Sequence, residues 1–222
     1  MKHVTMNNVG DYTEIACVLD RSGSMSSIVN DAIGGFNTFL KEQKELEGDA
    51  NMSIYLFDNK YEALVEKQEI KAVNELDNTT FVPRGMTALF DAIGKTVINL
   101  ENKIAKLEVK PKNVLVVILT DGGENSSNEF TTKDQIKTLI ERKRGEGNWE
   151  FLFLAANQDA FDEASSFGMS RGNSMNFAAT GDGVKSAYKK MSKSSTKFRS
   201  FSMSDYEDGV ALAANLMNED DE

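Results

Sequence analysis

The sequence predicts one doubly wound α/β domain, a mostly parallel sheet with one antiparallel edge strand and helices on both faces. Three observations predict it. Two continuous apolar runs, Ile15 to Leu19 and Val114 to Leu119, lead into aspartates, Asp20 and Asp121, as strands buried on both faces do. Stretches with apolar residues at helical spacing alternate with such runs, which is the signature of βα units. One segment, Tyr61 to Ile70, alternates apolar and charged residues after the tight turn Asp58-Asn59-Lys60, and reads as a hairpin strand at the sheet edge.

Taken in order, Tyr12 to Leu19 is the first strand. A helix is expected from Ser26 to about Glu47, because Ile28, Val29, Ala32, Ile33, Phe36, Phe39 and Leu40 form one stripe, and Gly48-Asp49 closes it. Met52 to Phe57 is the second strand and Tyr61 to Ile70 its edge partner. Lys71 to Val82 is expected to be a polar, exposed connection. Thr87 to Leu107 is helical by pattern, with Gly94 costing about 1 kcal/mol unless a neighbour packs closely there, and Pro111 ends the segment. Thr132-Lys133-Asp134-Gln135 opens a helix with a capping box, and this helix runs to Arg144 with Gly145 beyond it. Trp149 to Ala156 is a buried strand, Gln158 to Phe167 a short helix, Ser174 to Ala178 the last strand, and about Gly183 to Arg199 the final helix. Its Lys185, Lys189, Lys190, Lys193, Lys197 and Arg199 are expected on a solvated face. No internal repeat or linker divides the chain, so the domain is taken as Met1 to about Ser202, followed by an acidic tail over residues 203–222.

Composition narrows the function classes. A chain of 222 residues with 40% apolar residues can bury a sizeable core. A formal charge of -10 argues against a nucleic-acid partner, which would favour a basic face. Met1 to Glu14 has no apolar signal region and no run approaches a membrane span, so a soluble, unexported, cytoplasmic protein with no membrane partner is expected. The single cysteine, Cys17, lies inside the first apolar run as a small buried side chain, which suits a reducing compartment.

The chemistry concentrates where strands end. Asp20-Arg21-Ser22-Gly23-Ser24 places a carboxylate and two hydroxyls after the first strand, Pro83-Arg84-Gly85-Met86-Thr87 delivers a hydroxyl to a helix start, and Asp121 follows the Val114 run. In open parallel sheets ligands bind outside the carboxyl ends of the strands. Taken singly, each residue has a local explanation: Asp20 and Asp121 cap turns, and Thr87 or Ser24, Ser26 and Ser27 cap helices. Occurring together on three loops, Asp20, Ser22, Ser24, Thr87 and Asp121 resemble the metal-ion-dependent adhesion site of von Willebrand factor type A domains. The likeness covers about Tyr12 to Phe177, and the compact form is similar to small members from bacteria and their phages. Gly123 departs from the pattern, standing where many relatives carry an acidic residue.

The resemblance implies a Rossmann-like fold and a divalent cation, Mg²⁺ with Mn²⁺ able to replace it, held by those five residues. Ser22, Ser24 and Thr87 are neutral donors that leave the metal electrophilic, while Asp20 and Asp121 act largely through water and hydrogen bonds. A protein partner's Asp or Glu then fills the open position. The expected function is cation-dependent protein binding. Alternatives are a metal-independent assembly protein on the same fold and a Mg²⁺-dependent phosphohydrolase. A hydrolase serine is unsupported, since the only histidine is His3 and no Gly-x-Ser-x-Gly occurs; dinucleotide and phosphate-loop signatures are also missing. An enzyme is therefore not expected. Arg21 is expected to face solvent, and Glu124, Asn125 and Asn128 to lie in a solvated loop at the rim. The tail, acidic at both ends with Val210, Leu212, Ala213, Leu216 and Met217 between, is expected either to be disordered or to dock as a short helix. A tail carboxylate reaching the metal of the same or a neighbouring molecule offers a route to self-association.

Overall fold

The computed structural model describes residues 8–156, 160–201 and 216–217. Six strands, β1 (Asn8–Asp20), β2 (Asp49–Phe57), β3 (Tyr61–Glu69), β4 (Val109–Thr120), β5 (Trp149–Ala156) and β6 (Ser174–Phe177), form one sheet in the order β3-β2-β1-β4-β5-β6. All neighbours are parallel except β2 and β3, which pair antiparallel as the alternating pattern at the edge requires. The long apolar strands are central and covered on both faces. Odd-numbered residues of β1, such as Ile15, Cys17 and Leu19, pack under α1 (Val29–Glu45) and α5 (Gly181–Ser200). Even-numbered residues, such as Ala16 and Val18, pack under α2 (Leu89–Ala105), α3 (Lys133–Arg144) and α4 (Ala160–Ser166). From β1 the chain winds outward through α1 to β2 and β3, then crosses by α2 to β4 on the other side. The strand order therefore reverses between β1 and β4, and the crevice beyond their carboxyl ends is the switch point where such sheets bind ligands.

Several expectations are corrected. The helix after β1 does not start at Ser26: a 3-10 turn over Gly23–Ser27 comes first, because Ser26 and Ser27 bond back to the carbonyls of Gly23 and Ser24 and Met25 is pulled inside. Pro111 does not end the preceding segment but lies within β4. It sits opposite Gly10, where the β1–β4 register slips, and below Val114, where pairing with β5 begins, so its missing N–H interrupts no regular ladder. The Lys71 to Val82 connection is not simply exposed, since Val73, Leu76 and Phe81 are buried and Asn37 clamps both backbone groups of Leu76. Arg199 does not share the solvated face of α5; its guanidinium is buried and donates to the carbonyls of Gln43 and Gly48, tying α5 to the end of α1. Gly94 meets its expected neighbour: a Cβ there would lie 2.5 Å from the Phe130 ring. Cys17 is fully buried, and burial pushes its thiol up to about 12.

Of the tail, Leu216 and Met217 are buried against α5 and the β6 approach. Their N–H groups donate to the Asn173 side chain and the Gly172 carbonyl. The tail carboxylates expected to reach a metal lie outside the described residues. Among the described residues no helix is long and apolar enough to cross a membrane.

Candidate metal centre

The three sequence-predicted loops meet at the switch point. Asp20 ends β1 and is fully buried. Its Oδ1 accepts the Ser22 N–H at 2.7 Å and its Oδ2 accepts the Thr120 hydroxyl at 2.6 Å, so both oxygens shape the loops. The hydroxyls of Ser22 and Ser24 lie 3.0 Å apart, and Ser24 donates to Asp121 Oδ1 at 2.6 Å. Thr87 joins them from the far side: a Cβ placed on Gly122 would stand 3.3 Å from Thr87 Oγ1 and 3.7 Å from Ser24 Oγ. The two hydroxyls thus flank the same stretch of backbone: Asp20, Ser22, Ser24 and Asp121 are joined by hydrogen bonds, and Thr87 stands beside Gly122, the neighbour of Asp121.

Electrostatics at this point favour a cation. Burial pushes Asp20 up to about 6 against the bonds from Thr120 and Ser22, and the charge of Asp121 pushes it further the same way. Asp121 is also raised by burial, with Ser24 opposing. Two partly desolvated carboxylates, one raised by the charge of the other, beside three hydroxyl oxygens, form an all-oxygen donor set that suits a hard divalent ion and would be relieved by one. No group of three His, Cys, Asp or Glu residues is gathered for a metal among the described residues, so a cation at this point would have to be held by hydroxyls as much as by carboxylates.

The site is held by residues that sequence reasoning missed or misplaced. Thr120 not only donates to Asp20 but also accepts the Gly122 N–H at 3.2 Å, joining the ends of β1 and β4. Its signal was a hydroxyl at the end of an otherwise apolar run. Glu124 and Asn125 are fasteners rather than free rim residues. Asn125 Oδ1 accepts the Thr87 N–H at 2.8 Å while its own N–H donates to the Thr87 carbonyl at 3.0 Å. Glu124 accepts the N–H groups of Phe90, Ser126 and Ser127. Asp91 in turn accepts the N–H groups of Asn128, Glu129 and Phe130. Helix α2 begins after Ala88 with no side-chain cap of its own, and this neighbouring loop satisfies its first turn instead. Thr87 is therefore not a cap, and its hydroxyl faces the site. Arg21 does not face solvent; it is buried on the carboxylate of Asp58. Asp58 is a third aspartate closing an apolar run, a signal equal to those of Asp20 and Asp121.

Fold and site define the class: this is an α/β protein with the von Willebrand factor type A-like fold. No protein-family model matches the sequence, and no curated protein does. Among solved structures it is similar to proximal thread matrix protein 1 from the mussel byssus, described with a zinc-occupied MIDAS motif (13% identity, 84% of this chain and 48% of that one, TM-score 0.57). It is similar to a von Willebrand factor type A protein from Catenulispora acidiphila (13% identity, 84% and 43%, TM-score 0.54) and to manganese-loaded TRAP of Plasmodium vivax (15%, 78% and 69%, TM-score 0.54). The chain spans about half the length of the mussel and Catenulispora chains it matches.

Proposed function

We propose that this protein is a cation-dependent protein-binding module and not an enzyme. Mg²⁺, replaceable by Mn²⁺, would be held by Ser22, Ser24 and Thr87, with Asp20 and Asp121 as supporting carboxylates. The observation that supports this reading is that the side chains of Ser22, Ser24 and Asp121 are linked, with the Thr87 hydroxyl across Gly122 from Ser24, while Asp20 spends both oxygens on loop bonds. Such a metal supplies a Lewis acid whose charge the hydroxyl ligands leave largely uncancelled. Ser24, half of the hydroxyl pair, is exposed, so the site opens to the surface, where a partner's Asp or Glu completes the coordination. Two of the similar structures hold zinc or manganese, which supports a divalent site in this fold. The test is capture of a partner from a lysate of the source organism in Mg²⁺ and in EDTA, with Thr87→Ala in parallel. Capture should vanish in EDTA, in the variant, and when one Asp or Glu of the captured partner is changed to its amide. Capture indifferent to all three overturns the proposal.

A further inference from the structure

A site assigned to a cation has two arginines built into its loops. Arg21 stands between Asp20 and Ser22, and Arg84 three residues before Thr87. Unscreened, two guanidinium charges at these positions oppose the binding of a divalent ion. One carboxylate deals with both. Asp58, which follows β2 and is fully buried, accepts Arg21 Nε at 3.1 Å and Arg84 Nε at 2.8 Å on the same oxygen, and its other oxygen accepts the Lys60 N–H at 2.7 Å. Glu62, half exposed on β3, adds a bond from Arg21 at 2.6 Å and lies 3.5 Å from the Arg84 guanidinium. Two positive and two negative charges thus cancel.

The backbone around Asp58 follows the same plan. Its carbonyl accepts the Ala88 N–H at 2.9 Å, the Arg21 N–H donates to the Phe57 carbonyl at 2.8 Å, and the Arg84 N–H donates to the Arg21 carbonyl at 2.8 Å. Gly23 donates to Gly85 at 3.2 Å. At Gly85 φ is +69°, and an added Cβ would fall 2.2 Å from Asn59 Oδ1, so only glycine lets this loop close on the β2–β3 turn. The Asp20–Ser24 loop and the Thr87 loop are therefore joined to each other and to Asp58.

We propose that Asp58 is a positioning residue of the cation site: it neutralises and turns away the two arginines while locking the two hydroxyl-bearing loops together. This rests on the metal-binding reading above. The test uses the full chain with Mn²⁺ as probe, measuring Kd well below the unfolding temperature at low and high NaCl. Asp58→Asn keeps the side-chain shape and an acceptor oxygen but leaves the arginines one negative charge short. Kd should weaken at least about tenfold, as supporting residues of metal sites usually show. The loss should shrink as salt rises and screens the stranded charge, and Arg84→Gln added to Asp58→Asn should recover part of it. A purely structural role would lower stability yet leave the salt response and Arg84→Gln without effect on Kd. If Asp58→Asn does not fold, Glu62→Gln serves, with a two- to fivefold weakening of the same salt sign. Unchanged Kd, or a loss indifferent to salt and to Arg84→Gln, overturns the inference while leaving the metal reading intact. No saturable Mn²⁺ binding by the unaltered chain overturns the metal reading and the inference with it.

Discussion

Replacing Thr120 by valine tests how far the metal centre depends on a residue that would not itself touch metal. The side chain is fully buried at the end of β4, and its hydroxyl donates to Asp20 Oδ2 at 2.6 Å, lies 2.8 Å from the Gly122 carbonyl and accepts the Gly122 N–H at 3.2 Å. Valine fills nearly the same volume but leaves the Asp20 oxygen and the Gly122 N–H without this partner. A hydrogen bond to a charged group contributes about 1.5–3 kcal/mol, and an orphaned buried acceptor forfeits it. For a domain of this size that corresponds to a fall in Tm of about 4–10 °C. Asp20, already pushed up to about 6 by burial, loses its strongest opposing bond and rises further, so less of it is ionised at neutral pH. Mn²⁺ affinity should fall about 10- to 100-fold, the usual effect of losing a supporting partner. Thr120→Ser, which keeps the hydroxyl, should retain most of it. Titration calorimetry and thermal unfolding of the three proteins decide the matter. A valine variant with affinity within twofold of the unaltered chain would refute the argument that Asp20 acts through this bond.

Two predictions concern stability. Glu14 on β1 is buried, its Oε1 has no partner among the described residues and Asn51 reaches Oε2 only at 3.4 Å, so burial pushes its carboxyl up from 4.5 to about 7. The contribution of this raised carboxyl to stability is greatest below pH 4.5 and is lost as pH rises through 7, by about 3 kcal/mol in all. Glu14→Gln should therefore gain on the unaltered chain between pH 5 and pH 8 in urea unfolding, and a gain below about 1 kcal/mol would contradict the assignment. At Gly94, alanine would ordinarily stabilise a helix by about 1 kcal/mol. Contact with Phe130 should reverse the sign and cost about 1–3 kcal/mol, and a raised Tm for Gly94→Ala would count against the packing described.

The fold, and the strand ends at which the five proposed residues stand, were legible because they rest on strong local signals: long apolar runs, aspartates at their ends, and a hairpin strand that alternates. What was not legible depended on contacts between segments distant in sequence. Asp58 follows an apolar run just as Asp20 does, yet Asn59-Lys60 makes it read as an ordinary turn residue; its role shows only when Arg21 and Arg84 arrive from other loops. Arg21 and Arg199 carry a charge that sequence reasoning sends to solvent, and each is buried because a carboxylate or a pair of carbonyls awaits it. Val73, Leu76 and Phe81 follow no helical or strand period, so nothing in their spacing announces that they anchor a connection. Asn125 clamps Thr87 across 38 positions, a pairing no spacing rule predicts.

The central claim is most directly tested by isothermal titration of the full chain with Mg²⁺ and then Mn²⁺ beside Thr87→Ala. That variant is cleaner than Asp20→Ala, which would leave the Ser22 N–H without its buried acceptor and break the Thr120 bond that joins β1 to β4. One saturable site in the unaltered chain, lost in a Thr87→Ala protein of nearly unchanged Tm, is the result the account predicts. No saturable binding by the unaltered chain, or equal binding by both, would contradict it.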